Sequence, residues 1–89
     1  MMTPYPPNTS YKPSKGYVPD AATAIKIAEA VWIPIYGKET LKDERPFTAD
    51  LVNGVWIVKG TLPKGWKGGT AYAEISKETG CILKVTHFK

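Results

Sequence analysis

The first regular pattern along the chain begins at Asp20, where apolar residues recur at the spacing of an α-helix. Asp20 is a favoured N-cap residue, and the helix-forming residues after it continue to Ile33. The helix is expected to end or kink at Pro34, which has no N–H to donate, and Gly37 completes the turn. The expected buried stripe consists of Ile25, Ala28, Val31, Trp32 and Ile35.

Beyond a charged loop from Lys38 to Arg45, the period changes from 3.6 to 2, which is typical of β-strands. Two alternating runs, 46–52 and 55–61, flank Asn53-Gly54, a strong signal for a two-residue hairpin turn. That turn pairs 52 with 55, 51 with 56, 49 with 58 and 47 with 60. The expected core face is Phe47, Ala49, Leu51, Trp56 and Val58, and the other face is Thr48, Asp50, Val52, Val55, Ile57 and Lys59.

A second hairpin is predicted from 70–77 and 81–88, with Gly80 in the left-handed position of a three-residue turn. This register pairs 77 with 81, 75 with 83, 73 with 85 and 71 with 87. It places Ala71, Ala73, Ile75, Leu83 and Val85 on the core face, with His87 at the edge, and on the other face Glu74 opposite Lys84 and Tyr72 opposite Thr86. The predicted fold class is α+β, with one N-terminal helix packed on a four-stranded antiparallel sheet.

The chain is expected to divide at residue 19. Five prolines (Pro4, Pro6, Pro7, Pro13 and Pro19) and a single aliphatic residue, Val18, lie in the segment before that point. Such a segment buries too little apolar area to offset its ordering entropy, so residues 1–19 are predicted to be a flexible tail and 20–89 the folded domain. The tail is either a plain terminus or the spacer after a removed export signal. The expected compartment is accordingly cytoplasmic as the sequence stands, or periplasmic in the second case.

Composition narrows the classes of function. Hydrophobic residues make up 43% and charged residues 22%, which is ordinary for a globular domain. The net charge of +4 is not concentrated as in a nucleic-acid-binding protein, and no apolar run is long enough for a membrane span. No nucleic acid is therefore expected as a partner, and no membrane span is expected in the chain.

The residues that could carry chemistry are few. His87 is the one histidine and Cys81 the one cysteine, and in an extended strand they lie about 20 Å apart. The register places Glu74 and Asp50 on the face opposite His87, so no histidine–carboxylate dyad is expected. No catalytic residue, metal site or cofactor is predicted, and the chain is not expected to be an enzyme.

The segment between the two hairpins is the best candidate for a recognition surface. It carries Trp66 between Lys64 and Lys67, and an exposed tryptophan beside cations is a typical interface anchor. Tyr72 and Glu74, on the predicted outer sheet face, adjoin it. In the alternative arrangement, Trp66 folds back over the sheet edge and only covers it.

The ordered segments resemble the short NTF2-fold immunity proteins of bacterial polymorphic toxin and Rhs-type systems. The resemblance covers roughly residues 18–89. It is carried by 18–20, 24–25, 27–29, 34–37, 46–47, 53–58, 60–63, 68–69, 74–77, 79–83 and 86–87. Because one long helix is evident, a reduced NTF2-like or cystatin-like form is expected.

The resemblance implies an antitoxin that binds a cognate toxin or effector domain as a monomer or weak dimer. The net positive charge argues against a nuclease as that toxin, since nuclease inhibitors often present acidic groups, although Asp43-Glu44 could supply a local acidic patch. Two alternatives remain open. One is an envelope-associated interaction or protease-inhibitor module of similar shape. The other is a small NTF2-like enzyme or ligand carrier, which would need a pocket with His87 and a carboxylate.

Overall fold

A computed structural model describes residues 11–62, 65 and 68–88. The helices are α1 (Ala21–Tyr36) and α2 (Lys38–Lys42), and the strands are β1 (Thr48–Val52), β2 (Val55–Lys59), β3 (Ala71–Ser76) and β4 (Ile82–His87). The strands form one antiparallel sheet in the order β1-β2-β3-β4, and α1 packs against one of its faces. The predicted α+β fold, a helix on a four-stranded antiparallel sheet, is confirmed.

The start of α1 and its closure by Gly37 are as predicted, but of the two outcomes expected at Pro34, an end of the helix is ruled out. The carboxylate of Asp20 accepts hydrogen bonds from the backbone N–H of Thr23 at 2.8 Å and from its hydroxyl at 2.7 Å, which caps the first turn. The helix does not end at Pro34, because it continues for two further residues to Tyr36. Gly37 closes it, with φ at 89° and its N–H donating to the carbonyl of Ile33.

The buried stripe of α1 follows a spacing of four residues, Ala24, Ala28 and Trp32. The two alanines let the helix approach the sheet closely, and Trp32 fills the space beyond them, edge-on to Phe47 at 5.4 Å. The prediction that Ile35 belongs to this stripe is wrong, since Ile35 is 57% exposed. Four residues after Trp32, the same spacing reaches Tyr36, and this residue packs against the core in place of Ile35.

The charged segment after α1 is helical rather than a loop. Lys38–Lys42 forms a short second helix, α2, which places Leu41 in the core. The other side chains of α2 are exposed, so Leu41 is the residue by which this helix packs into the core.

The first hairpin has the predicted register. Asn53 and Gly54 both have positive φ, as a two-residue turn requires, and the pairs 52–55, 51–56 and 49–58 are confirmed. Trp56 and Val58 lie in the core as expected. Leu51 is on the expected face but is 46% exposed, because it lies on an edge strand near the turn.

The second hairpin has the predicted register at its open end only. Its pairs 71–87 and 73–85 are confirmed, but Ile75 pairs with Ile82 rather than Leu83. The backbone bond from Ser76 to Cys81 at 2.9 Å closes a four-residue turn, one residue longer than predicted. The extra residue is absorbed by a β-bulge, which leaves Leu83 exposed.

Residues 16–18 lie against the folded body rather than extending away from it. The N–H groups of Tyr17 and Val18 donate to the carbonyls of Glu78 and Lys77, at 3.2 and 3.0 Å. Val18 is buried, and its carbonyl accepts a 2.7 Å hydrogen bond from the Trp56 indole. The division of the chain at residue 19 stays a prediction, but the last part of the proposed tail contributes to the core.

Candidate functional site

Three of the five residues predicted to bind a partner, Lys64, Trp66 and Lys67, lie outside the described residues. The segment that carries them joins the end of β2 to the start of β3. Lys59, the last residue of β2, pairs with Tyr72 near the start of β3. The segment therefore leaves the sheet at the end where Tyr72 lies.

Tyr72 and Glu74 lie together on the sheet face opposite α1. The Tyr72 hydroxyl donates a 2.7 Å hydrogen bond to the Glu74 carboxylate, which fixes both side chains. This bond, followed by burial and the negative charge of Glu74, raises the pKa of Tyr72, so the phenol remains protonated as a donor. The Phe88 ring lies 4.9 Å from the Tyr72 ring, and the Lys84 ammonium lies 6.0 Å from its centre.

This outer face is open in the described part of the chain, since α1 contacts the sheet on the opposite face and α2 packs against α1. The β-ladder places Asp50, Ile57, Glu74 and Lys84 in one row across it, and Thr48, Lys59, Tyr72 and Thr86 in the next. Val55 and Ile57 are half-buried although no helix covers them. The result is a surface on which half-buried apolar side chains lie beside charged ones, a composition common in protein interfaces.

The opposite side of the sheet contains a histidine–carboxylate pair, and the expectation that no such dyad exists is wrong. Nε2 of His87 lies 2.8 Å from Oε2 of Glu44, 43 residues away in the chain. The sequence argument considered carboxylates on the sheet only, whereas Glu44 follows α2 in the segment interpreted as a loop. No local signal separated it from the neighbouring charged residues.

Glu44 is buried, with an exposed fraction of 5%, and its polar atoms connect three segments. Its Oε1 accepts a 2.7 Å hydrogen bond from the N–H of Ala71, at the start of β3. Its carbonyl accepts another from the N–H of Thr61 at 2.7 Å. Gly60 permits this packing, because a Cβ there would lie 2.7 Å from Oε1. The suggested acidic patch at Asp43-Glu44 is therefore wrong for Glu44, whose carboxylate faces inward.

The hydrogen bonds of the His87–Glu44 pair hold segments of the fold together. Nδ1 of His87 lies 3.0 Å from the Phe88 carbonyl oxygen, and the imidazole packs against the Tyr36 ring at 5.1 Å. Both ring nitrogens thus face oxygen acceptors, and both carboxylate oxygens of Glu44 have partners. Cys81 is exposed beyond the other end of β4, too far away to be activated by this imidazole.

Within residues 11–62, 65 and 68–88, no cluster of three or more histidine, cysteine and acidic side chains could hold a metal ion. In the same part of the chain, no helix is long and apolar enough to cross a membrane.

The fold and its outer face define a small α+β domain suited to contact with another macromolecule. A sequence model of the NTF2 fold immunity protein family matches residues 23–89. The chain therefore belongs to the NTF2 fold immunity protein family, and the resemblance drawn from its residues is confirmed. Membership suggests an antitoxin role, and proteins of this kind are typically not enzymes.

Two curated relatives come from Escherichia coli (strain K12). The uncharacterized protein YbbC is 33% identical over 76 residues, which are 84% of this chain and 62% of the relative. The uncharacterized protein YhhH is 30% identical over 76 residues, which are 84% of this chain and 60% of the relative. The chain thus spans about six tenths of the length of these relatives. No solved structure matches the chain significantly.

Proposed function

We propose that this chain is an immunity protein that binds a cognate bacterial toxin and neutralises it by protein–protein contact, without catalysis of its own. The observation that carries the proposal is the match of the immunity family to residues 23–89, which include α2, the four strands of the sheet and all of α1 except its first two residues. The geometry supports it, because the imidazole and the buried carboxylate are committed to holding the fold together.

The proposed toxin-binding surface is the outer sheet face around Tyr72 and Glu74, together with Lys64, Trp66 and Lys67 in the adjoining segment. Tyr72 and Glu74 are held in one geometry by their mutual hydrogen bond, so little side-chain entropy is lost when a partner packs on them. Trp66 would supply the large aromatic anchor, and the lysines would supply charge at the margin.

The experiment uses the protein product of the neighbouring gene as the candidate toxin. Growth of a bacterial host is measured with that protein alone and with this chain co-expressed, and binding is measured by calorimetry with the purified pair. Protection together with a stable complex is expected. Binding without protection, or no complex at all, would contradict the proposal.

The proposed surface is tested separately with Trp66→Ala, compared with Ile35→Ala as a matched control. Ile35 is a large apolar residue exposed on α1, away from the outer face. Truncating a central aromatic anchor typically costs about 2 kcal/mol or more, or about 30-fold in affinity, whereas the control should bind as the wild type does. Equal affinity of the two variants would show that Trp66 is not in the interface.

A further inference from the structure

A cleft of about 310 Å³ lies between α1 and α2, on the helix side of the sheet. Half-buried Ile33 of α1 contributes apolar surface to it, the buried Leu41 of α2 lies at its floor, and its rim is charged. The volume is at the lower end of the range for small-molecule sites, and it suits a single large side chain better than a cofactor.

The charged side chains around the cleft carry a net positive charge, which favours an acidic partner. Arg45 and Glu29, both in the lining, neutralise each other through a 3.2 Å ion pair. Lys38 and Lys42 are one helical turn apart on α2, and neither forms an ion pair within the described residues. Glu39 is the one remaining carboxylate in the lining, so the rim carries a net positive charge.

Arg45 is also well placed to contact an acidic group. Its guanidinium contacts Glu29 and lies 5.9 Å from the centre of the Phe47 ring, while most of the side chain is exposed to solvent. A guanidinium has five N–H donors, and the bond to Glu29 occupies one nitrogen. Donors are left over for a carboxylate at the mouth of the cleft.

We propose that the cleft binds an acidic segment of a partner protein, with one leucine or aromatic side chain packed on Ile33 above the buried Leu41. Carboxylates on either side of the inserted side chain meet Lys38 and Lys42. The site is distinct from the proposed toxin-binding surface, because Tyr72 and Glu74 lie on the opposite face of the sheet. It therefore does not depend on the toxin-binding proposal.

The test uses two short synthetic peptides with the same central pair of leucines, one flanked by aspartates and the other by lysines. Each is titrated into the full ¹⁵N-labelled chain, and amide chemical shifts are followed. The acidic peptide should shift the amides of Ile33, Leu41 and Lys42 in a saturable way, and the basic peptide should not. Absence of saturable shifts at millimolar acidic peptide, or shifts centred on the outer sheet face, would overturn the proposal.

Matched variants separate a local effect from general electrostatics. Lys38→Glu/Lys42→Glu should weaken binding of the acidic peptide about tenfold or more. Lys59→Glu/Lys84→Glu makes the same change in net charge on the outer face and should bind almost normally. Glu39→Gln should strengthen binding. Equal weakening by the two double variants, or the same shifts produced by citrate alone, would show that the cleft does not recognise an acidic peptide segment.

Discussion

Glu44 is the residue whose removal tests the packing argument most directly. Glu44→Ala deletes the acceptor of the Ala71 N–H and leaves His87 without its carboxylate partner. The N–H of fully buried Ala71 cannot reach water, so losing its acceptor should cost about 1–3 kcal/mol. The imidazole is partly exposed, so water replaces some of its lost bond.

The expected total for Glu44→Ala is a loss of about 3 kcal/mol in the free energy of unfolding, most of it from the unpaired N–H of Ala71. For a domain of this size, that corresponds to a fall of about 10–25 °C in the melting temperature. Urea unfolding followed by the fluorescence of the buried Trp32 and Trp56 measures it. A small domain is expected to unfold in a single two-state transition, so its free energy of unfolding is well defined.

Two controls make the result specific to the lost hydrogen bonds. Glu44→Gln keeps an oxygen for the Ala71 N–H and an amide that can donate to Nε2 of His87, so its loss should be about 1 kcal/mol. Asp43→Ala removes the neighbouring exposed carboxylate and should leave the transition unchanged. A Glu44→Ala variant as stable as the Asp43→Ala variant would refute the reasoning.

Three further outcomes are expected. Trp56→Ala should cost about 3–5 kcal/mol in urea unfolding, because it empties the core beneath Val18; a loss below 1 kcal/mol would contradict the burial of the indole. Deleting residues 1–18 should lower the melting temperature by several degrees in calorimetry, because Val18 covers Trp56, and an unchanged value would restore the interpretation of the whole segment as a tail. The pKa of Asp20 is lowered from its ordinary 3.8, first by the hydrogen bond from the Thr23 hydroxyl and then by the hydrogen bond from the Thr23 N–H. The carboxylate therefore stabilises the fold above pH 3.8, and this stabilisation is lost as the pH falls through the pKa of the folded state. Melting temperatures measured from pH 5 to about pH 2 should fall less steeply for Asp20→Asn, which still caps α1 but does not titrate.

The two hairpins show how far sequence determines register. The Asn53-Gly54 turn has two residues with positive φ, which allows one pairing, and that pairing is confirmed. The turn before Cys81 is compatible with either three or four residues, since Gly80 is left-handed in both cases. The prediction of a three-residue turn placed Leu83 on the wrong face. A register shift of one residue reverses the face of the side chains that follow the turn, until the β-bulge restores the predicted pairing.

The candidate site was predictable only where it follows from strand alternation. Tyr72 and Glu74 share the outer face because they are two residues apart in β3, and the structure places both there. The Glu44–His87 contact spans 43 residues and depends on how α2 docks. That docking is decided by a single leucine in a charged segment, which a periodicity argument cannot recognise.

The placement of the reactive groups makes the two proposed surfaces separable. Glu44 and His87 lie on the helix side of the sheet, where their hydrogen bonds join the segment after α2 to β3 and β4. Neither side chain is therefore available to the outer face. The cleft between α1 and α2 is on that same helix side, with the whole sheet between it and Tyr72. A toxin seated on the outer face would therefore leave Lys38 and Lys42 accessible, and reversing their charge should not change its affinity. If toxin binding instead responds to these lysines and not to Trp66, the toxin occupies the cleft, and the immunity function belongs to the helical side of the domain.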